Sequence, residues 1–320
     1  MFEEYRYFVN PAEFEKYPVN WAEVFGNDQP IEVEIGFGYG EFLNETAKRK
    51  KTRNFIGIEM SIFSAAKAQR KFYVSGLENI RLIIVDARFA LRNLFLANTV
   101  EKVYLNFPCP WSKKKHAERR VIVPEFFATL NNILTQEGVF ELSTDVEAYA
   151  KEAKELGLSM GYLPVTSIKN PDREAMTRFE RKWKRFDRDI YFLQLKKTHD
   201  ESVERLMEGP IPMPHRIIPK EDIQLEALPK LIEKIYKSED EKQICVYKSI
   251  YKDLQWEHYV IKAITTDETF VQHCLLVLVY RGNDWVVKLD SSTNPYRTPA
   301  VKFAVAQFAD LLTRKNPPIA

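Results

Sequence analysis

The chain has 320 residues, 45% apolar, 13% aromatic and 29% charged, enough to bury at least one substantial core and the composition of an ordinary soluble protein. Its 47 Lys and Arg against 45 Asp and Glu leave a formal +2, which excludes a uniformly polycationic chain. The balance is uneven, however: KRKKTR (residues 48–53), the stretch 113–120 and RFERKWKRFDR (178–188) are basic blocks of the kind a polyanion binds.

Cys109, Cys245 and Cys274 are odd in number and lack CxxC spacing, so neither a disulfide framework nor a zinc site is supported. No apolar run approaches membrane-spanning length, and the start MFEEYRYFVN is acidic and aromatic, unlike a signal segment. The expectation is a cytoplasmic protein without a membrane or metal partner.

In chain order, residues 1–30 form an aromatic, acidic lead-in with Pro11 and Pro18, expected to pack on the unit that begins at residue 31. IEVEI (31–35) reads as a strand, GFGYG (36–40) as a sharp turn and EFLNETAKRK (41–50) as a helix. Strand, glycine turn and helix open a nucleotide-type fold, because glycines let a ligand approach bare N–H groups near a helix N-terminus. FIGIE (55–59) is a second strand ending at Glu59, about 25 residues beyond Glu34 and near the spacing at which an acid takes ribose hydroxyls. Ser61 caps a helix running to about Val74, with Gly76 as its stop.

The pattern repeats. IRLIIV (80–85) ends at Asp86, VYLN (103–106) at a proline-rich loop, and VFELS (139–143) at Thr144 and Asp145. Each strand delivers a polar residue or loop at its C-terminal end, where open parallel sheets bind ligands. The spacing GxGxG, rather than GxGxxG, argues against a pyrophosphate ligand. An acid at position 34, just before Gly36, Gly38 and Gly40, would repel phosphate but suits the ammonium of S-adenosylmethionine.

In YLNFPCPWSKKKHAERRVIVP (104–124), Pro108 and Pro110 force an extended surface loop that exposes Trp111, Lys113, Lys114, Lys115, His116, Arg119 and Arg120. Trp111 either stacks a base or serves the loop structurally.

Taken in order, EIGFGYGEF, GIE, VDA, NFPxPWxKKxHxxRR, PEF, STDxxxYA and TRFE resemble the bacterial tRNA (guanine-N7)-methyltransferases over roughly residues 31–195. The resemblance implies an α/β class I methyltransferase fold, Rossmann-like, with a seven-stranded sheet and helices on both faces. It also implies S-adenosylmethionine as cofactor, tRNA as partner and methyl transfer to N7 of a variable-loop guanosine. Carried over, Glu34, Glu59 and Asp86 are the cofactor acids, with Gly36, Gly38 and Gly40 beside them. Lys113, Asp145, Thr177, Arg178, Phe179 and Glu180 match substrate-binding positions.

Cys109 stands where the family has the Asp of FPDPW, a residue credited with catalysis. A thiol cannot accept hydrogen bonds as a carboxylate does. Three accounts are open: the Asp is dispensable because N7 methylation needs no base, Asp145 serves instead, or activity is impaired and the protein is a catalytically weak RNA binder on a methyltransferase fold.

The expected domains are a methyltransferase domain over 1–200, a proline-rich linker over 201–219 and a C-terminal α+β domain over 220–320. In the last, a helix is expected around 222–237, strands at 243–251, 256–265, 269–280 and 285–289, and a closing helix over 297–314. The expected role of that domain is to hold tRNA or to support thermal stability of the fold.

Overall fold

The computed structural model describes residues 6–110 and 120–313. They fall into two compact units: Pro18–Arg205 with the segment ending at Pro11, and Ala12–Tyr17 with the chain from Leu206 onward. Strand β1 (Lys16–Tyr17) therefore belongs to the second unit.

The first unit opens with α1 (Trp21–Phe25), whose Trp21 stacks on Phe95 and donates its indole N–H to the Leu94 carbonyl at 2.9 Å. Next in the chain are β2 (Ile31–Ile35), α2 (Glu41–Arg49), β3 (Asn54–Glu59), α3 (Ile62–Val74), β4 (Ile80–Ile84) and α4 (Ala87–Leu94). Then come β5 (Val100–Asn106), α5 (Pro124–Ile133), β6 (Leu134–Thr144), α6 (Glu147–Ser159), β7 (Leu163–Lys169), α7 (Arg178–Arg185) and β8 (Tyr191–Lys196).

The strands form one seven-stranded sheet in the order β4-β3-β2-β5-β6-β8-β7. Strands β2 to β6 are parallel, and β8 runs antiparallel to β6 and β7. Because parallel crossovers are right-handed, reversing the direction of strand addition after β4 puts α2 and α3 on one face and α4, α5 and α6 on the other. This is the doubly wound α/β fold expected from the sequence. Every residue of β2 is buried, as a central strand covered on both faces must be.

One helical layer packs Phe37, Leu43, Phe55, Ala68, Phe72 and Leu82 into a common core. The other is an aromatic cluster of Phe126, Phe127, Phe140 and Tyr162. The edge strand β4 does not stay open: Val9 N–H donates to the Leu82 carbonyl and Leu82 N–H to the Tyr7 carbonyl, which covers an edge that would otherwise invite pairing.

The second unit contains β9 (Gly209–Pro210), paired with β1, and β10 (His215–Pro219), β11 (Ile235–Lys237), β12 (Gln243–Lys252), β13 (His258–Asp267), β14 (Phe270–Tyr280) and β15 (Asp284–Leu289). The last six form an antiparallel sheet in the order β10-β15-β14-β13-β12-β11. Helix α8 (Pro299–Leu311) lies across one face, and Val301, Ala304, Val305 and Phe308 share a core with Tyr247, Ile261, Leu276 and Val287.

Two local expectations change here. The helix expected around 222–237 is a short 3-10 helix, Leu225–Leu231, succeeded by β11. Pro229 inside it has no N–H to continue an α-helical ladder. Within the stretch expected as linker, β9 and β10 are strands, because a proline at a strand end or sheet edge costs no ladder bond.

Among the described residues no helix is long and apolar enough to cross a membrane. Among those same residues, no group of three or more His, Cys, Asp or Glu is arranged to hold a metal ion.

Candidate active site

The site begins at the turn between β2 and α2. Gly36, Gly38 and Gly40 have φ of 68°, 55° and 71°, the left-handed region that glycine enters without strain. A Cβ at Gly36 or Gly38 would meet nothing within 4 Å, so the turn borders open space. A Cβ at Gly40 would stand 2.6 Å from the Phe72 ring, so this glycine is what lets α2 start against α3. Glu59, at the end of β3, ties the turn down. One carboxylate oxygen accepts from Gly38 N–H at 3.0 Å, the other from Met60 and Ser61 N–H at 2.8 and 3.1 Å.

Beside this turn, β2 and β5 part company with their connections, one leading towards β3 and the other towards β6, which makes the crevice at their C-terminal ends the topological switch point. The side chains of Glu34 and Asn106 meet there. Asn106 Nδ2 donates to Glu34 Oε1 at 3.0 Å, and Glu34 Oε2 is buried with no hydrogen-bond partner. Glu34 is only 1% exposed. Burial pushes its carboxyl up to about 8, against the opposing influence of Asn106 and the Arg173 guanidinium.

The chain of contacts continues. Arg173 donates from Nη2 to Asn106 Oδ1 at 3.1 Å, and from Nη1 to Ser143 Oγ at 2.7 Å and Glu180 Oε2 at 3.1 Å. Its guanidinium lies 5.0 Å from the Phe42 ring centroid and 5.6 Å from that of Phe192. Glu180 is fully buried, and its Oε1, like Glu34 Oε2, has no partner. Burial raises the Glu180 carboxyl, while Arg173 pulls it down.

Thr177 caps α7 by accepting from Glu180 N–H at 3.0 Å. The spacing TxxE is that of a capping box, but the Glu180 side chain turns inward to Arg173 instead of back to the helix start. Arg178 places its guanidinium 5.2 Å from the Tyr39 ring centroid, and Phe179 is exposed. Asp145, just past β6, is partly exposed with Arg188 at 3.7 Å. Asp86 caps α4 by accepting from Arg88 N–H at 2.8 Å and pairs with the same residue's guanidinium at 2.9 Å.

Cys109 is an exposed free thiol in the loop after β5, where Phe107 takes a φ of 51°, uncommon for a residue with a Cβ. Lys113, with Trp111, Lys114, Lys115, His116 and Arg119, lies outside the described residues. Arg120 pairs with Glu152 at 3.2 Å.

In the basic block at 48–53, three of the five cations are engaged in ion pairs. Lys50 pairs with buried Glu32 at 2.9 Å and Arg53 with Glu101 at 3.2 Å, because the turn after α2 brings these cations beside carboxylates of β2 and the start of β5, and Arg49 at the end of α2 pairs with Glu174 at 2.8 Å. Asn106, Ser143 and Arg173 carry the polar chain of the site, and sequence reasoning assigned them no role. Asn106 at least ends an apolar strand; Arg173 sits alone in an irregular stretch with no local signal.

A family model described as a putative methyltransferase matches residues 28–193. A tRNA (guanine-N(7)-)-methyltransferase of Thermotoga maritima is 42% identical over 314 residues, covering 98% of this chain and 98% of that protein. The chain belongs to the tRNA (guanine-N7)-methyltransferase family.

A relative of the same name from Thermus thermophilus is 30% identical and covers 95% of this chain and 96% of its own length. One from a Geobacillus species is 35% identical but covers 57% of this chain while using 84% of its own length. That family member leaves no room for a counterpart of the whole second unit, whereas the first two match along nearly the entire chain.

Proposed function

We propose that this protein is a cytoplasmic enzyme that transfers a methyl group from S-adenosylmethionine to N7 of a guanosine in the variable loop of tRNA. The observation that carries the reading is Glu34 Oε2, a buried carboxylate oxygen without a partner, on the strand that borders the switch point of a methyltransferase sheet. S-adenosylmethionine supplies a methyl carbon on a cationic sulfur and carries an ammonium at its amino-acid end.

Glu34 accepts from that ammonium, and the glycine turn at 36–40 lets the amino-acid portion lie against the backbone. Glu59 uses the lone pairs left over from its backbone contacts to accept ribose hydroxyls. Asp86 is the third acid of the cofactor side.

Guanine N7 has an in-plane lone pair and no proton, so the reaction needs no general base, and the enzyme's contribution is orientation. Asp145 and Glu180 hold the N1–H and amino edge of the guanine. The free Oε1 of Glu180 supports that role. Thr177, Arg178 and Phe179 at the start of α7, with Lys113, Lys114, Arg119 and Arg120, hold the surrounding RNA. Since N7 carries no proton that a residue at position 109 would have to take, a thiol there leaves the chemistry intact. Catalysis belongs to the first unit. The second holds tRNA or supports the thermal stability of the fold, and loss of tRNA affinity on removing residues 206–320 separates the two roles.

Incubation with labelled S-adenosylmethionine and a tRNA transcript, with mapping of the modified base, tests the reading. Label at N7 of a variable-loop guanosine is expected. Absence of transfer while both ligands bind tightly would leave a catalytically weak RNA-binding protein in its place.

A further inference from the structure

The two carboxylates assigned to cofactor and guanine are not independent. Glu34 uses Oε1 towards Asn106 and Glu180 uses Oε2 towards Arg173, and Asn106 and Arg173 are themselves hydrogen-bonded at 3.1 Å. Each carboxylate therefore keeps its other oxygen without a partner. We propose that Arg173 is the positioning residue of the methyl-transfer site, a largely shielded cation that holds Glu180 directly and Glu34 through Asn106 so that both present a free oxygen to a ligand. The inference rests on the proposed assignment of Glu34 to the cofactor and Glu180 to the guanine.

The geometry requires arginine. A planar guanidinium reaches Ser143 and Glu180 from one nitrogen and Asn106 from the other, which anchors it to the C-terminal ends of β6 and β5 at once. A lysine is a single point charge and cannot hold that fork. The rings of Phe42 and Phe192 near the guanidinium fix its plane.

Electrostatics point the same way. Glu34 feels Arg173 as its cation, and Glu41 and Glu59 as further carboxylates. Glu180 feels Arg173 first, then Lys184 and Arg181, and its carboxylate is also favoured by a backbone bond at Thr177. Without Arg173, both carboxylates hold protons to higher pH and lose acceptor strength, so a single substitution at a residue that acts through them damages both binding sites.

The test is steady-state methyl transfer by Arg173→Met and Arg173→Lys, varying S-adenosylmethionine, tRNA and pH, with Asn106→Leu as comparator. Arg173→Met is expected to raise KM for both substrates by about tenfold or more, and to move the acid limb of kcat/KM upward by about one pH unit. Arg173→Lys keeps the limb near its native position because the charge remains, but does not restore KM. Asn106→Leu raises KM for S-adenosylmethionine alone, since Arg173 still holds Glu180.

A folded Arg173→Met protein with lowered melting temperature but unchanged KM values and pH limb overturns the proposal, as does a rise confined to tRNA. If Arg173→Met does not fold, Asn106→Leu decides: unchanged KM for S-adenosylmethionine overturns it. If the native protein transfers no methyl to tRNA, the functional reading fails separately. Titration with S-adenosylhomocysteine then decides the role of Arg173, with about tenfold weaker binding to Arg173→Met expected and equal binding contrary to the proposal.

Discussion

Burial of Glu34 costs the protein stability. Its carboxyl is pushed up to about 8, while a free glutamate titrates near 4.3, at about the value it has in the unfolded chain. Between those values the folded protein keeps a proton that the unfolded chain has lost, so stability falls as pH rises through the window. Glu34→Gln removes that liability and the proposed ligand contact together. The cofactor-free variant should melt higher than the native protein at pH 8, by about 2–4 °C for each kcal/mol recovered, whereas its affinity for S-adenosylhomocysteine should fall by about 2 kcal/mol or more. Calorimetry on both proteins checks the two effects, and a variant that melts lower and binds normally contradicts the assignment. Cys109 makes the opposite case. Cys109→Ala should keep methyl transfer within about threefold of native and Cys109→Asp should preserve or raise it, while Asp145→Ala should lose about tenfold or more in kcat/KM for tRNA. Abolition of transfer by Cys109→Ala, with cofactor binding intact, contradicts the dispensability of that position.

At the level of elements, the glycine turn and the capped start of α7 set the site's geometry. Gly40→Ala introduces a Cβ at 2.6 Å from the Phe72 ring in a backbone with φ of 71°, and should cost about 1–3 kcal/mol through overpacking, with added backbone strain. Pairing it with Phe72→Leu relieves the clash and not the strain, so partial recovery of the melting temperature is the expected result. Thr177→Ala removes the cap of α7, worth about 1 kcal/mol. Because the same helix turn carries Glu180, weaker tRNA binding should accompany the lower melting temperature. Normal tRNA affinity in this variant separates the cap from the guanine site.

For the whole molecule, near-neutral net charge conceals how the charges are spent. The cations at 49, 50 and 53 are engaged in ion pairs with Glu174, Glu32 and Glu101, whereas the proposed tRNA contacts come from the loop after β5 and from α7. If the proposed phosphate contacts of Lys113, Lys114, Arg119 and Arg120 form, tRNA affinity falls about a hundredfold between 50 and 200 mM salt. Filter binding across that range measures the slope, and a flat dependence excludes phosphate contact as the main source of affinity. Substitutions in the block at 48–53 should leave the slope unchanged.

The first unit was readable from the sequence because a parallel sheet declares itself locally: apolar runs such as IEVEI and IRLIIV, glycines that must turn, and acids waiting at strand ends. Family motifs added the chemistry. The second unit was read less well where a proline decides the element, as Pro229 does in the 3-10 helix. Three things were decided only by tertiary structure. The strand order brought Glu34 and Asn106, distant in sequence, to one crevice. Folding of the α2–β3 turn against β2 converted a basic block into ion pairs. Burial changed the meaning of Glu180 and its pairing with Arg173, since nothing in the sequence shows that the Glu180 side chain turns into the fold, or that Arg173 reaches Asn106 67 residues away.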